Sequence, residues 1–177
     1  STVIQVTYGF FGLVLMNAQG LTWALMHIVF HAGIKNILFL AAGAIIYKTH
    51  KTYVYQLRGI GKAMPITMWA FTIASLSLVG IPPTAGVVSK WYLAMGGIES
   101  NHPLLGTIGA GVLLISALLT GGYLITIFIK AFFPGSDFDY KSLKKTEPNK
   151  LKTVPLVILS VCCFLFGMCP NPLIEFI

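Results

Sequence analysis

The sequence predicts an all-α fold: a polytopic bundle of transmembrane helices with one proline-broken helix and about five to six helical segments. Three observations carry that reading. Hydrophobic residues make up 56% and charged residues 10% of the 177-residue chain, whose mean hydropathy is +0.82. Water-soluble chains ordinarily carry about 25% charged residues. Several apolar runs approach or exceed the roughly 20 residues that a spanning helix needs. Between two of those runs, "GIPP" at 80–83 sets two prolines in succession. That removes two backbone donors and forces the preceding residue out of helical geometry.

The first segment is 2–17, "TVIQVTYGFFGLVLMN", with Ser1 or Thr2 as its N-cap. At 16 residues it is short for a span, as expected if a turn precedes it. "AQG" at 18–20 reads as a connector, and 21–47 as a long second segment. The polar loop 48–65 holds Lys48, Lys51, Arg58 and Lys62 and no acid, and its "TYVYQL" fits a short strand. A third segment, 66–80, ends at the proline pair. The fourth, 84–98, is about 22 Å long, short of a ~30 Å hydrocarbon core. It reads either as a re-entrant half-helix or as one half of a broken span completed by residues after Pro103. "ESNHP" at 99–103 interrupts the apolar pattern, which resumes over 104–133. The loop 134–152 carries five lysines and three acids, a last segment covers 153–169, and "CPNP" then "LIEFI" follow. In the broken-span reading the two lysine-bearing loops lie on opposite sides, and the loop 134–152 takes the cytoplasm.

The net charge of +7 comes mostly from loop lysines and Arg58. In a membrane protein it reports topology, so no nucleic-acid partner is expected. Cys162, Cys163 and Cys169 are odd in number and lack zinc-type spacing, which makes them small helix-packing residues. There is no basic stretch or small-residue cleavage pattern of a signal peptide. The chain opens on Ser1 inside an apparent helix, so 1–177 is expected to be a single transmembrane domain that is a fragment of a longer chain.

The chemistry lies in "MHIVFHAGIKNILFL", residues 26–40, where His27, His31 and Lys35 recur every fourth residue. Each step of four turns the helix ~400°, so the three form one stripe rising about 12 Å. An intramembrane ionisable group normally faces the bundle interior or a wet cavity. Desolvation favours the neutral form of an amine, and imidazoles titrate near neutrality, so such a stripe suits proton transfer. His-x3-His can also ligate a metal or haem, but no third ligand adjoins it and a lysine one turn on repels a cation. Neither cofactor nor metal is expected. Lys90 lies just beyond the break, where unwound backbone admits water. Its bland alternative is a lysine snorkelling from a half-helix end, the reading that suits Lys130. Thr72, Ser75, Ser77, Ser116, Thr120 and Tyr123 can hold a water file, though each alone is ordinary helix–helix glue. Ser75, Thr120, Tyr123 and Glu99 are retained as candidate channel-lining residues, Glu99 with His102 flanking "ESNHP" as a channel mouth. Glu175 reads as terminal and solvated.

In this order and spacing, "STVIQVTYGF", "HIVFHAGIKNILFLAAGAII", "GIGKAMPITMWAF" and "GIPPTAGVVSKWYL" resemble the antiporter-like family. That family comprises the large proton-translocating membrane subunits of respiratory complex I, the Mrp-type sodium/proton antiporters and the membrane-bound energy-converting hydrogenases. The resemblance implies two inverted five-helix repeats, each with a broken helix, of which this chain resembles the second plus one following helix. It matches Lys35 to the central-axis lysine, Lys90 to the broken-helix lysine on the route to the outer face, and His27 and His31 to the histidines linking sites along the polar axis. It also places the loop 134–152 inside and 48–65 outside. The first repeat, with its glutamate–lysine pair, is absent, and position 90 is lysine where some members carry glutamate.

The resemblance implies translocation of protons, or of sodium against protons, by one subunit among other membrane subunits of a respiratory, hydrogenase or Mrp-type complex. The expected location is multi-pass in a prokaryotic inner or plasma membrane. No nucleophile–base set, phosphate loop or redox ligand set is visible, so covalent chemistry is expected from the parent complex rather than from this chain. A non-conducting scaffold subunit and a haem- or metal-binding subunit are the alternatives.

Overall fold

A computed structural model describes residues 2–100, 102–135 and 145–170. Glu175 and the middle of the loop 134–152 lie outside the described residues. Within them the chain is all-helical: α1 (Thr2–Val14), α2 (Ala18–Thr49), α3 (Ile60–Ala63), α4 (Pro65–Val79), α5 (Ala85–Ile98), α6 (Pro103–Phe132) and α7 (Lys150–Met168). Six of these are longer helices, and α2, α6 and α7 are each long and apolar enough to cross a membrane.

Local chemistry sets the boundaries. The extended backbone of Asn17 and its side chain, which accepts the Gly20 N–H at 2.5 Å, start α2 at Ala18. The "AQG" connector is therefore helical, and the turn falls at 15–17, where Met16 has φ 49°. At the far end His50 takes a left-handed conformation and returns its N–H to Ile46 O at 2.8 Å, closing α2. "TYVYQL" is not a strand. The Gln56 side chain accepts from the backbone N–H of Thr52 and Tyr53 at 3.2 and 3.3 Å, and this local bonding curls Val54–Leu57 into a 3-10 turn.

The broken crossing is α4 followed by α5, not α5 followed by α6. Each half is about 21–23 Å long, so neither alone crosses a ~30 Å hydrocarbon core and the two in series do. The 30-residue α6 runs back beside both. Gly106 meets the backbone of Gly97 near the end of α5, Gly121 lies beside Val79 at the break, and Phe132 packs on Trp69 near the start of α4. α2 is antiparallel to the same broken crossing, with His27 beside Ser89 on α5. The outer face of α6 is apolar, with Leu118 and Leu119 69% and 70% exposed.

This architecture corrects the expected topology: the loops 48–65 and 134–152 lie at the same end of the bundle. Arg58 Nε donates to Pro134 O at 3.1 Å, the Gly59 N–H to Lys130 O at 3.2 Å, and the Thr146 N–H to Ala63 O at 2.9 Å. Glu147 accepts the Ile66 N–H at 2.7 Å and the Thr67 hydroxyl at 3.0 Å, placing a carboxylate on the free amides that open α4. One whole crossing plus α6 separates the two loops, an even number of passes, which returns the chain to its starting side. In a cysteine-free background, single cysteines at Lys51 and Lys145 are expected to react with an impermeant maleimide from one membrane face, and a cysteine at His102 from the other. Labelling of Lys51 and Lys145 positions from opposite faces would refute the fold drawn here.

Candidate functional site

The site is built around the ends that the break creates. An α-helix leaves its last four carbonyls without intrahelical donors. At the end of α4, Gly80 adopts φ 93°, so that its own N–H and that of Ile81 both reach Leu76 O, at 2.9 and 3.0 Å. The carbonyls of Leu78 and Val79 are met instead by Lys90, whose Nζ donates to them at 2.6 and 3.1 Å. A cation thus sits at the negative end of a helix dipole, in a buried position. On the other side of the break, the Gly86 N–H of α5 donates to the Ser77 hydroxyl at 3.1 Å, which also accepts from Cys163 Sγ of α7 at 3.2 Å.

α2 presents its histidines to this junction because their spacing keeps both on its inner face. His27 and His31 are 3% and 9% exposed, and their ring centroids are 6.3 Å apart. His27 Nδ1 shares a 3.0 Å hydrogen bond with the Ser89 hydroxyl. The Nε2 atoms of both rings are buried without a hydrogen bond of ordinary geometry among the described residues. Gln5, His27, His31, Ser77, Ser89 and Lys90 surround a void of about 10 Å³. That is close to the smallest space that admits one water. Lys35 stands one turn beyond His31, part-buried, with Nζ 5.7 Å from the Phe39 ring centroid.

The structure therefore gathers His27, His31 and Lys90 around one void and leaves Lys35 along the same helix. The candidate channel-lining residues lie elsewhere. Ser75 and Thr120 are buried, but each donates its hydroxyl to the carbonyl four residues earlier, Phe71 at 2.7 Å and Ser116 at 2.8 Å. Tyr123 is 45% exposed on α6, and Glu99 is exposed at the end of α5 away from the break.

Gln5, Tyr8 and Ser89 were missed by sequence reasoning. Gln5 Nε2 makes a long 3.5 Å bond to Leu78 O, and the Tyr8 ring lies 5.5 Å from both Lys90 Nζ and the His27 ring centroid. A signal for the first two exists: Gln5, Tyr8, Gly9 and Gly12 recur at helical spacing on an otherwise apolar segment and form its buried face.

Residues 1–120 match the family model of the NADH:quinone oxidoreductase/Mrp antiporter transmembrane region. NADH-quinone oxidoreductase subunit N of Desulforudis audaxviator is 40% identical over 135 residues, covering 76% of this chain and 26% of that protein. The chain thus spans about a quarter of the length of this curated relative. In the structure of the membrane-bound sulfane sulfur reductase, an archaeal respiratory membrane complex, one chain is 31% identical with a TM-score of 0.74, over 92% of this chain and 26% of that one. A chain in the structure of the Mrp complex from Dietzia sp. DQ12-45-1b has the same fold, with a TM-score of 0.82 at 24% identity over 97% of this chain and 39% of that one.

The junction leaves no room for a methyl group at Gly86, where a Cβ would run into the Ser77 carbonyl oxygen, whereas a Cβ at Gly33 meets open space. Gly86→Ala is expected to destabilise the purified protein by about 1–3 kcal/mol. Gly33→Ala should leave stability unchanged or raise it by up to about 1 kcal/mol. Thermal unfolding in detergent measures both.

Proposed function

The chain belongs to the NADH:quinone oxidoreductase/Mrp antiporter family, and from that premise we propose that it moves protons, or sodium against protons, across a membrane through Lys90, His31, His27 and Lys35. It is an integral membrane protein of the antiporter-like type. Its partners in this reading are the other membrane subunits of a respiratory, hydrogenase or Mrp-type complex, in a prokaryotic inner or plasma membrane.

The observation that carries the proposal is the seat of Lys90. Its ammonium is buried on two backbone carbonyls of a broken helix, beside the imidazoles of His27 and His31. Burial penalises the charged amine, and the carbonyl pair at the helix end offsets that penalty. An ammonium held by such a balance loses its proton when a second positive charge approaches. His27 and His31 can accept and hand on that proton, because a neutral imidazole has one donor nitrogen and one acceptor. The void between them is about the size of the smallest space that admits one water. Lys35 extends the path one turn along α2.

Orientation follows from charge. Lys48, Lys51, Arg58, Lys62, Lys130, Lys145, Lys150 and Lys152 gather at the end of the bundle where α2 and α6 finish and α4 and α7 begin. Glu99 and His102 lie at the other end. The positive-inside bias makes the cationic end cytoplasmic. Lys90, on α5, then lies on the outer side of the break, where a proton leaving it is directed outward.

The parent complex, reconstituted in liposomes, tests the proposal. Lys90→Ala and Lys35→Ala are each expected to slow ion translocation about tenfold or more, a barrier increase of at least ~1.4 kcal/mol, without loss of assembly. Translocation at the unmodified rate in both variants would leave the chain a scaffold.

A further inference from the structure

We propose that Trp23, Tyr92 and Glu99 form a binding site for the headgroup ammonium of an aminophospholipid, at the end of the bundle opposite the lysine-bearing loops. The inference goes beyond the transport reading and does not rest on it.

The site lies where α2 begins and α5 ends. Gln19 and Trp23 from the start of α2, with Tyr92, Met95 and Glu99 from α5 and its C-cap, line a pocket of about 250 Å³. Steps of three and four residues place each set on one face of its helix. The Trp23 and Tyr92 rings stack across the seam, with centroids 4.0 Å apart and planes within 4° of parallel. Single aromatic anchors are ordinary at a membrane interface. Here two rings from different helices are fixed as one plate, and the same pocket holds a carboxylate. Glu99 is exposed, and no lysine, arginine or histidine pairs with it among the described residues. The other described carboxylate, Glu147, is committed to the start of α4.

An aromatic plate and a carboxylate in one pocket select a cation, and the rings make it an organic one. A bare metal ion asks for several oxygen ligands, where the side chains here offer only those of Glu99 and Gln19. Size and position then select a lipid. The volume is below the ~300–1,000 Å³ that encloses a whole drug-sized ligand, so it suits a headgroup amine with the rest of its molecule outside. Trp91 and Met95, on the same pocket, are exposed apolar side chains against which the glycerol and first methylenes can lie. The primary ammonium rests on the aromatic plate and bonds Glu99, and the Gln19 amide supplies a donor for the phosphate. At the other end of the bundle, the lysines repel an ammonium.

Photocrosslinking on the purified parent complex tests this. The probe is a phosphatidylethanolamine with a diazirine near the glycerol end of one acyl chain, compared with a phosphatidylglycerol of the same chains. Labelled residues are mapped by peptide mass spectrometry. Segments 19–23 and 91–99 are expected to take about fivefold more label from the ethanolamine lipid. Glu99→Gln, which keeps the shape and removes the charge, is expected to abolish that preference, and so is Trp23→Leu, with labelling elsewhere on the complex unchanged. Equal labelling by the two lipids, or an unchanged preference in Glu99→Gln, would overturn the inference. Absence of label from both, the result if a neighbouring subunit covers the pocket, would overturn it too. Should Trp23→Leu fail to assemble, Glu99→Gln decides alone. The transport reading stands or falls separately, on Lys90→Ala and Lys35→Ala.

Discussion

Backbone carbonyls in the middle of a membrane have no water to turn to, and a helix interrupted there must find donors within the protein. The whole junction answers that requirement. Gly80 and Ile81 fold back onto Leu76, Gln5 approaches Leu78, Ser77 receives the Gly86 amide in the first turn of α5, and Lys90 covers Leu78 and Val79. The residue assigned the ion-transfer role is thus also the one that completes the broken helix. Its amine is held to a fixed geometry by backbone rather than by a carboxylate. A carboxylate partner would stabilise the ammonium more strongly and make its proton harder to release.

Close approach of helices is the second theme, and small residues provide it. Lipid is as apolar as leucine, so helices in a bilayer associate through dense packing and occasional polar bonds rather than by escaping solvent. α1 and α2 meet where a Cβ on Gly12 would lie 2.7 Å from Gly20 O and 2.8 Å from the Ala24 side chain. α5 and α6 meet at the backbones of Gly97 and Gly106. Such contacts hold the two faces of the junction in register, so that His27 on α2 meets Ser89 on α5 and the Tyr8 ring of α1 reaches both α2 and α5.

Much of this was legible in the sequence, for reasons that differ by element. Helix class and the position of the break follow from composition and from Pro82 and Pro83, which in succession remove two backbone donors and push the preceding residue out of helical geometry. The four-residue spacing of His27, His31 and Lys35 puts them on one face whatever surrounds them, and the inner face is where His27 and His31 are found. Which half-helices belong to one crossing was not legible. "ESNHP" and "GIPP" are both plausible interruptions, and only the glycine contacts along α6 decide that the chain reverses at the first and continues through the second. The side of the loop 48–65 depended on that choice and was misassigned with it. Ser75 and Thr120 were singled out because their types suit water; a hydroxyl on a helix can also donate to its own backbone, and here both do, which sequence spacing alone does not reveal. Tyr8 escaped notice because an isolated tyrosine in an apolar run is ordinary until its neighbours are known.

The brace from α7 has a further consequence. Cys163 reaches Ser77, Phe166 stacks near Phe30 with ring centroids 6.2 Å apart, and Gly167 lies against the backbone of Pro83, Thr84 and Ala85. These contacts join a late stretch of the polypeptide to one translated well before it, since chains emerge from the ribosome in order. The interrupted crossing must therefore wait in the bilayer, its junction one wall short, until the α7 segment has been inserted and docks. During that interval the exposed peptide groups need a temporary cover, whether water, lipid headgroups or an insertion factor, and completion of the junction is a post-insertion event.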